Sequence, residues 1–312
     1  MIRSLSIPSV ALTLLAGAMA CSDSTPNIVT TTMDASEADV VGRQAADLLG
    51  PAAGGLMAFD PDEAVLGLGF LFPTGPSGPS PRPLLAPIAR ALAGNAPGCS
   101  PEQSDPTDTD GDGIYDDNTV TFTAANCTTV DPDGLPLVAT GTIRIRDQGT
   151  LFGWLVNFTS LSIKVGDATA HDQVTVNGSY AADVGAAGAS ATQKLSAIVV
   201  STSEGNYSFS DDWALSFAPS GGGVIVAGGP FPAGAFDLAG SFSYTGGGRN
   251  FLLSLLTTQP LAIDGACSGQ PPFQSGQVVG EITARRSAGF LITFNGCGLD
   301  PTFEPRGAQP LT

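Results

Sequence analysis

The stretch 108–117, DTDGDGIYDD, packs five aspartates into ten residues. Asp108, Asp110 and Asp112 alternate along it, and Gly113 follows. Calcium takes about six to eight oxygens at about 2.3–2.6 Å, and alternate carboxylates on a tight turn can converge on one ion. In a loop over 108–119 the three carboxylates fall at positions 1, 3 and 5. Gly113 is at position 6, the backbone carbonyl of Ile114 at position 7 and Asp116 at position 9. Without a cation such close carboxylates repel one another. The expected side-chain ligands are therefore Asp108, Asp110, Asp112 and Asp116, with Ile114 a backbone ligand. Asp117 or Asp105 is the candidate for a further oxygen. The alternative is a solvated acidic turn.

Other chemistry-bearing residues make a thin set. His171 is the single histidine, beside Asp172, and is expected in a turn between strands. Asp211 and Asp212, next to Trp213, suggest half of a carboxylate pair for sugar chemistry. A bulge at a strand edge with solvated charge is the expected reading. Arg285 and Arg286 interrupt an apolar pattern and are read as a hairpin turn. No nucleophile elbow, zinc-protease helix or phosphate-binding glycine loop is present. Asn126, Asn157, Asn177 and Asn206 begin N-x-S/T sequons, which an exported bacterial chain would leave unmodified. The expectation is a protein without catalytic residues.

The elements that must position the acidic loop begin with an export signal. Residues 1–20 carry Arg3, a short apolar run from Ile7 to Gly17 and the small-residue end Ala18-Met19-Ala20. Cleavage there leaves Cys21 first, and residues 21–33 read as a tether. The chain holds five cysteines, Cys21, Cys99, Cys127, Cys267 and Cys297. An odd number in an exported protein needs an explanation, and lipidation of Cys21 leaves four for an oxidising compartment. Four allow three connectivities. Neighbour pairing, Cys99–Cys127 and Cys267–Cys297, is expected because each pair brackets one local unit. Ordinary secretion with Cys21 as a spare thiol is the alternative.

With 29 acidic against 12 basic residues the net charge is −17. Such a surface repels phosphate backbones and excludes nucleic acid as a partner. The partners expected are the membrane, through the anchor at Cys21, and an unidentified protein, glycan or lipid. The 40 glycines, 24 prolines and only 13% charged residues suit strands and turns better than helices.

Residues 34–98 read as a helical and Pro/Gly-rich segment. A capping-box spacing at Asp34-Ala35-Ser36-Glu37 opens one helix that ends at Gly50-Pro51, and a second is expected from about Pro83 to Ala93. From residue 118 the apolar period changes to two. Tyr207, Phe209, Trp213, Leu215 and Phe217 share a phase, as do Phe236, Leu238, Phe242 and Tyr244. Phe152, Trp154, Val156 and Phe158 alternate in one phase, and Leu161, Ile163 and Val165 in the other. A bulge near Thr159 follows. Turn signals fall at Asp133-Gly134, Asn177-Gly178, Glu204-Gly205-Asn206, Gly221-Gly222-Gly223 and Gly246-Gly247-Gly248. The expected fold over 99–312 is mainly β: a long antiparallel meander of about nine to eleven strands. It forms a curved sheet or half-open barrel covered by the short N-terminal helices, with a sandwich as the alternative.

The pattern DxDxDG followed by Asp116 resembles the calcium loops of thrombospondin type 3 repeats and, more distantly, of EF-hands and dockerins. It departs from them at position 12, where Thr119 stands in place of a bidentate acid. The segment 1–21 resembles a bacterial lipoprotein signal. By analogy with enterobacterial sorting, Ser22 after the cysteine directs such a protein to the outer membrane. The stretch from Cys99 to Cys127 and the pattern from Cys267 to Ile292-Thr-Phe-Asn-Gly-Cys297 resemble β-rich lipoproteins of environmental bacteria, a likeness that implies no activity. The function expected is a non-catalytic envelope lipoprotein, a binding or structural module with a weakly calcium-ordered loop. Alternatives are a carrier of lipid or another apolar ligand, and a glycan hydrolase using Asp211 and Asp212.

Overall fold

The computed structural model describes residues 98–307 except 113, 131–133, 149–151, 203–204, 227–231, 247–248, 268–270 and 284–286. The signal, the tether with Cys21, both expected helices and Gly113 lie outside the described residues.

Thirteen antiparallel strands form one open sheet. They are β1 (Glu102–Gln103), β2 (Asp117–Phe122), β3 (Thr128–Val130), β4 (Pro136–Asp147), β5 (Phe152–Gly166), β6 (His171–Gly185), β7 (Gly188–Ser201), β8 (Tyr207–Pro219), β9 (Gly234–Gly246), β10 (Arg249–Ile263), β11 (Phe273–Thr283), β12 (Ser287–Phe294) and β13 (Thr302–Arg306). From β4 onward each strand pairs with its neighbour in sequence, so the meander is as expected. The count exceeds expectation because β1 and β3 have only two and three residues, too few to show a period. At the start β2 skips β3 and pairs with β4, Asp117 opposite Arg146 and Phe122 opposite Gly141.

Period-two alternation makes one face apolar, and burial follows it. In β7, Leu195, Ala197 and Val199 are buried, while Lys194, Ser196 and Ile198 between them are exposed. The core gathers this face from every long strand, with Ile143, Ile163, Val174, Phe236, Val278 and Phe290 wholly excluded from solvent. Aromatic rings on this face lie across glycines of the adjacent strand. A Cβ on Gly240 would sit 2.2 Å from Trp213 Cε3, and one on Gly280 2.0 Å from Phe290 Cζ. The missing side chain lets the ring lie flat on the neighbouring backbone.

The phase slip expected near Thr159 is present. The pairing of β5 with β6 shifts between Phe158 and Leu161, Ser160 takes φ 48°, and its N–H donates to Asn177 Oδ1 at 2.7 Å. The turn expected at Asn177-Gly178 is not there. Both residues lie inside β6, where Asn177 serves the bulge and Gly178 (φ +127°) lets the Lys194 carbonyl approach. The chain instead reverses between Gly166 and His171 and between Gly185 and Gly188. His171 opens β6 after the first of these. The reversal expected at Arg286 falls between the paired residues Thr283 and Ser287.

Disulfides join Cys99 to Cys127 and Cys267 to Cys297. The first ties the segment before β1 to the entry of β3. The second closes the loop between β10 and β11 onto the loop after β12.

Candidate metal centre

The acidic loop leads into β2 at the end of the sheet where β4 finishes. Backbone bonds fix it there: Asp116 N–H donates to Thr107 O at 2.9 Å, and Asp147 N–H to Tyr115 O at 3.0 Å. Ile114 plugs the loop into the core, 3% exposed. Its side chain anchors the turn, with Asp112 and Tyr115 half-buried and Asp116 exposed.

The aspartates shape the turn themselves. Gly111 N–H donates to Asp108 Oδ1 at 2.8 Å, and Ile114 N–H to Asp112 Oδ1 at 2.8 Å. Each short carboxylate satisfies a backbone donor two or three residues ahead, which selects the turn over a strand. Gly111, with φ 76°, supplies the left-handed residue. Such capping does not exhaust a carboxylate, whose two oxygens offer about four lone-pair sites.

One carboxylate oxygen from each of Asp108, Asp110 and Asp112 lies within 4.8 Å of the others. The three expected at positions 1, 3 and 5 are therefore brought together. Partial burial pushes the Asp112 carboxyl up, opposed by the Ile114 N–H, and the charges of Asp110, Asp147 and Asp108 push it further. Asp116 faces a different group: Thr109 donates both its backbone N–H, at 3.0 Å, and its hydroxyl to it. Those bonds hold the Asp116 carboxyl below the usual carboxylate range. Asp117 is taken by Arg144, whose Nε donates to Oδ1 at 2.7 Å across β2 and β4. That bond pulls its carboxyl down as well.

Asp147 is the one acid outside the loop whose charge reaches the triad, and local spacing does not point to it. It ends β4, 35 positions after Asp112, and register alone brings it near. The charge of Asp147 is felt by Asp112 because β2 pairs with β4 rather than with β3.

The Asp211–Asp212 expectation is corrected. No bulge interrupts β8 there, since pairing runs unbroken from Tyr207 to Phe217 on one side and from Tyr207 to Pro219 on the other. Asp211 turns inward, 4% exposed, and accepts from Gln193 Nε2 at 2.7 Å and Leu195 N–H at 3.2 Å. Asp212 turns outward to Lys194 Nζ at 3.1 Å. Successive strand residues face opposite sides, so these two carboxyls cannot flank one glycosidic bond.

The fold and loop define a class: a single open antiparallel β-sheet, disulfide-tied, carrying one acidic loop. Compared with protein-family models, curated proteins and solved structures, the chain matches none.

Proposed function

We propose that this protein is a non-catalytic, lipid-anchored module of the bacterial cell envelope, with binding or structural work, in which calcium orders the loop 108–119. The observation that carries the reading is the convergence of Asp108, Asp110 and Asp112 within 4.8 Å on a loop whose core anchor is Ile114. An acid at position 9 often reaches calcium through water, so the bonds from Thr109 to Asp116 are compatible with an outer role. Ile114 adds its carbonyl, and Asp147 adds negative charge near Asp112 without joining the triad.

Export is supported by the two disulfides, which occupy four of five cysteines and belong to an oxidising compartment. Cys21 is then the odd cysteine, placed for an acyl chain that holds the protein to the outer membrane. Most outward positions of β7 to β9, among them Lys194, Ser196, Asp212, Ser216 and Asp237 but not Ile198 and Val200, suit water rather than hydrocarbon. This favours a lipid anchor over strands that span the bilayer. The sheet is read as curved, a half-open barrel with its aromatic face inside. That reading rests on one continuous buried face, the bulges, and the rings laid across glycines.

The test is titration calorimetry of the folded chain with calcium. Saturable binding that disappears in Asp110→Ala/Asp112→Ala, with far-UV circular dichroism unchanged, supports the reading. Absence of binding at several millimolar calcium reduces the loop to a solvated acidic turn.

A further inference from the structure

The inward face of the sheet is shut off from water along its whole width. Ile143 on β4, Ile163 on β5, Val174 on β6, Phe236 on β9, Val278 on β11 and Phe290 on β12 are all at 0% exposure. Pairing within the ladder does not explain this. Strand neighbours cover the flanks of a side chain and leave its top open, so a sheet buries a face only against a second layer. The described residues supply none: they hold one sheet and no helix. Nor do the rings on this face meet across an interior. Their contacts run sideways, from Trp154 to Tyr180, Phe209 to Phe242, Phe217 to Phe236 and Phe236 to Phe273. A barrel of about eight strands is just filled by its own side chains, and one of about sixteen leaves a channel. All thirteen strands here except β3 lie on one path, so curling them leaves a core wider than their side chains fill.

The cover therefore comes from chain outside the described residues. The gaps between strands are too short to supply it, the longest being 227–231. Residues 1–33 are the signal and a polar tether, which leaves 34–97. Within that stretch, 34–49 carries Asp34, Glu37, Asp39, Arg43 and Asp47, and 83–93 carries Arg90, so each needs water on one side. Residues 64–72, AVLGLGFLF, have no charged or polar side chain at all. A segment apolar all round is buried on every side. We propose that residues 64–72 are a plug that threads the curved sheet and supplies the second layer on its aromatic face. The connector 73–97 spans at most ~85 Å when extended, enough to reach from Gly98 to any point on that face. The plug takes the space that a lipid would need, so the carrier alternative raised by the sequence requires it to leave. The proposal is independent of the calcium loop.

The test uses the full chain. Leu68→Ala and Phe70→Ala should each lower the melting temperature by roughly 10 °C, as when a large side chain is lost from a core. Both should also raise the fluorescence of added anilinonaphthalene sulfonate, which reports exposed apolar surface. Thr74→Ala, in the connector, should change neither. Location is read with the photocrosslinker p-benzoylphenylalanine in place of Phe70. Irradiation should join position 70, within one chain, to peptides carrying inward residues of β5 to β12. If an alanine variant fails to fold by circular dichroism, the crosslinked chain decides. Melting temperatures unchanged by both alanine substitutions overturn the proposal. So do links from position 70 only to outward residues or to a second chain. A lipid extracted from the native protein, with no link from position 70 to the inward face, would put that lipid in the place assigned to the plug.

Discussion

Asp211 and Gln193 form a buried acid–amide pair joining β7 to β8, Nε2 to Oδ2 at 2.7 Å, on a face built mostly from aromatic and aliphatic side chains. Burial pushes the Asp211 carboxyl up to about 7, against the bonds from Gln193 and Leu195 that favour its charged form. The sign follows directly. Between the ordinary aspartate range and about 7 the folded state holds a proton that the unfolded state has released, so stability falls as pH rises through that window. Above it the loss is complete. Asp211→Asn should flatten this slope in urea melts between pH 4 and 8. At pH 8 it should raise stability by about 1–4 kcal/mol, the upper figure being about 1.4 kcal/mol per pK unit. Identical slopes in the two proteins would mean that Asp211 titrates in water.

Gly240 tests the arrangement of the aromatic face. Its Cβ would lie 2.2 Å from Trp213 Cε3 and 2.5 Å from the Asp212 carbonyl oxygen. The ring can tilt, but the carbonyl belongs to a paired strand and cannot. Gly240→Ala should cost about 1–3 kcal/mol, the usual range for overpacking, and should change Trp213 emission. An unchanged melting temperature would show that the ring does not lie across β9.

The meander was legible because period-two alternation is written into long strands such as β7 and β9. The disulfide pairing was legible because each pair brackets one local unit. The bulge at Ser160 was visible as a phase slip between Phe158 and Leu161. Asn177-Gly178 was misread because the same dipeptide serves a hairpin turn or, as here, a bulge and a close backbone approach. The expectation of a solvated charge at Asp211 follows from the rarity of buried aspartate. Its position in the Phe209–Asp211–Trp213 alternation was the better guide. Of the acidic cluster, the triad could be read from local spacing, whereas the approach of Asp147's charge depends on β2 pairing with β4, which no local pattern encodes.

In the proposed reading Cys21 carries the membrane anchor. Intact mass of membrane-extracted protein from the native host should show acyl mass on a chain beginning at Cys21. Cys21→Ser should release the protein from the membrane fraction without altering either disulfide. A soluble chain with an unmodified Cys21 thiol would refute the anchor.

The carboxylates of the proposed calcium site differ in their present bonds. Asp147 bears on Asp112 through charge alone and lies outside the triad. Asp116 is occupied by Thr109, and Asp117 by Arg144. Asp147→Asn should therefore weaken calcium binding by about two- to fivefold, the size of one nearby charge lost from the field of the site rather than of a lost ligand. Asp117→Asn should leave it within about twofold, because that carboxylate is already committed across the ladder. Calcium at ten times Kd should stabilise the wild type by about 1.4 kcal/mol, and magnesium much less because it gives up its waters reluctantly. Both variants keep side-chain shape, so thermal melts in chelator should match the wild type closely enough for calcium affinities to be compared. A larger loss of affinity in Asp117→Asn than in Asp147→Asn would place the ion on the β2 side of the loop, away from the charge of Asp147.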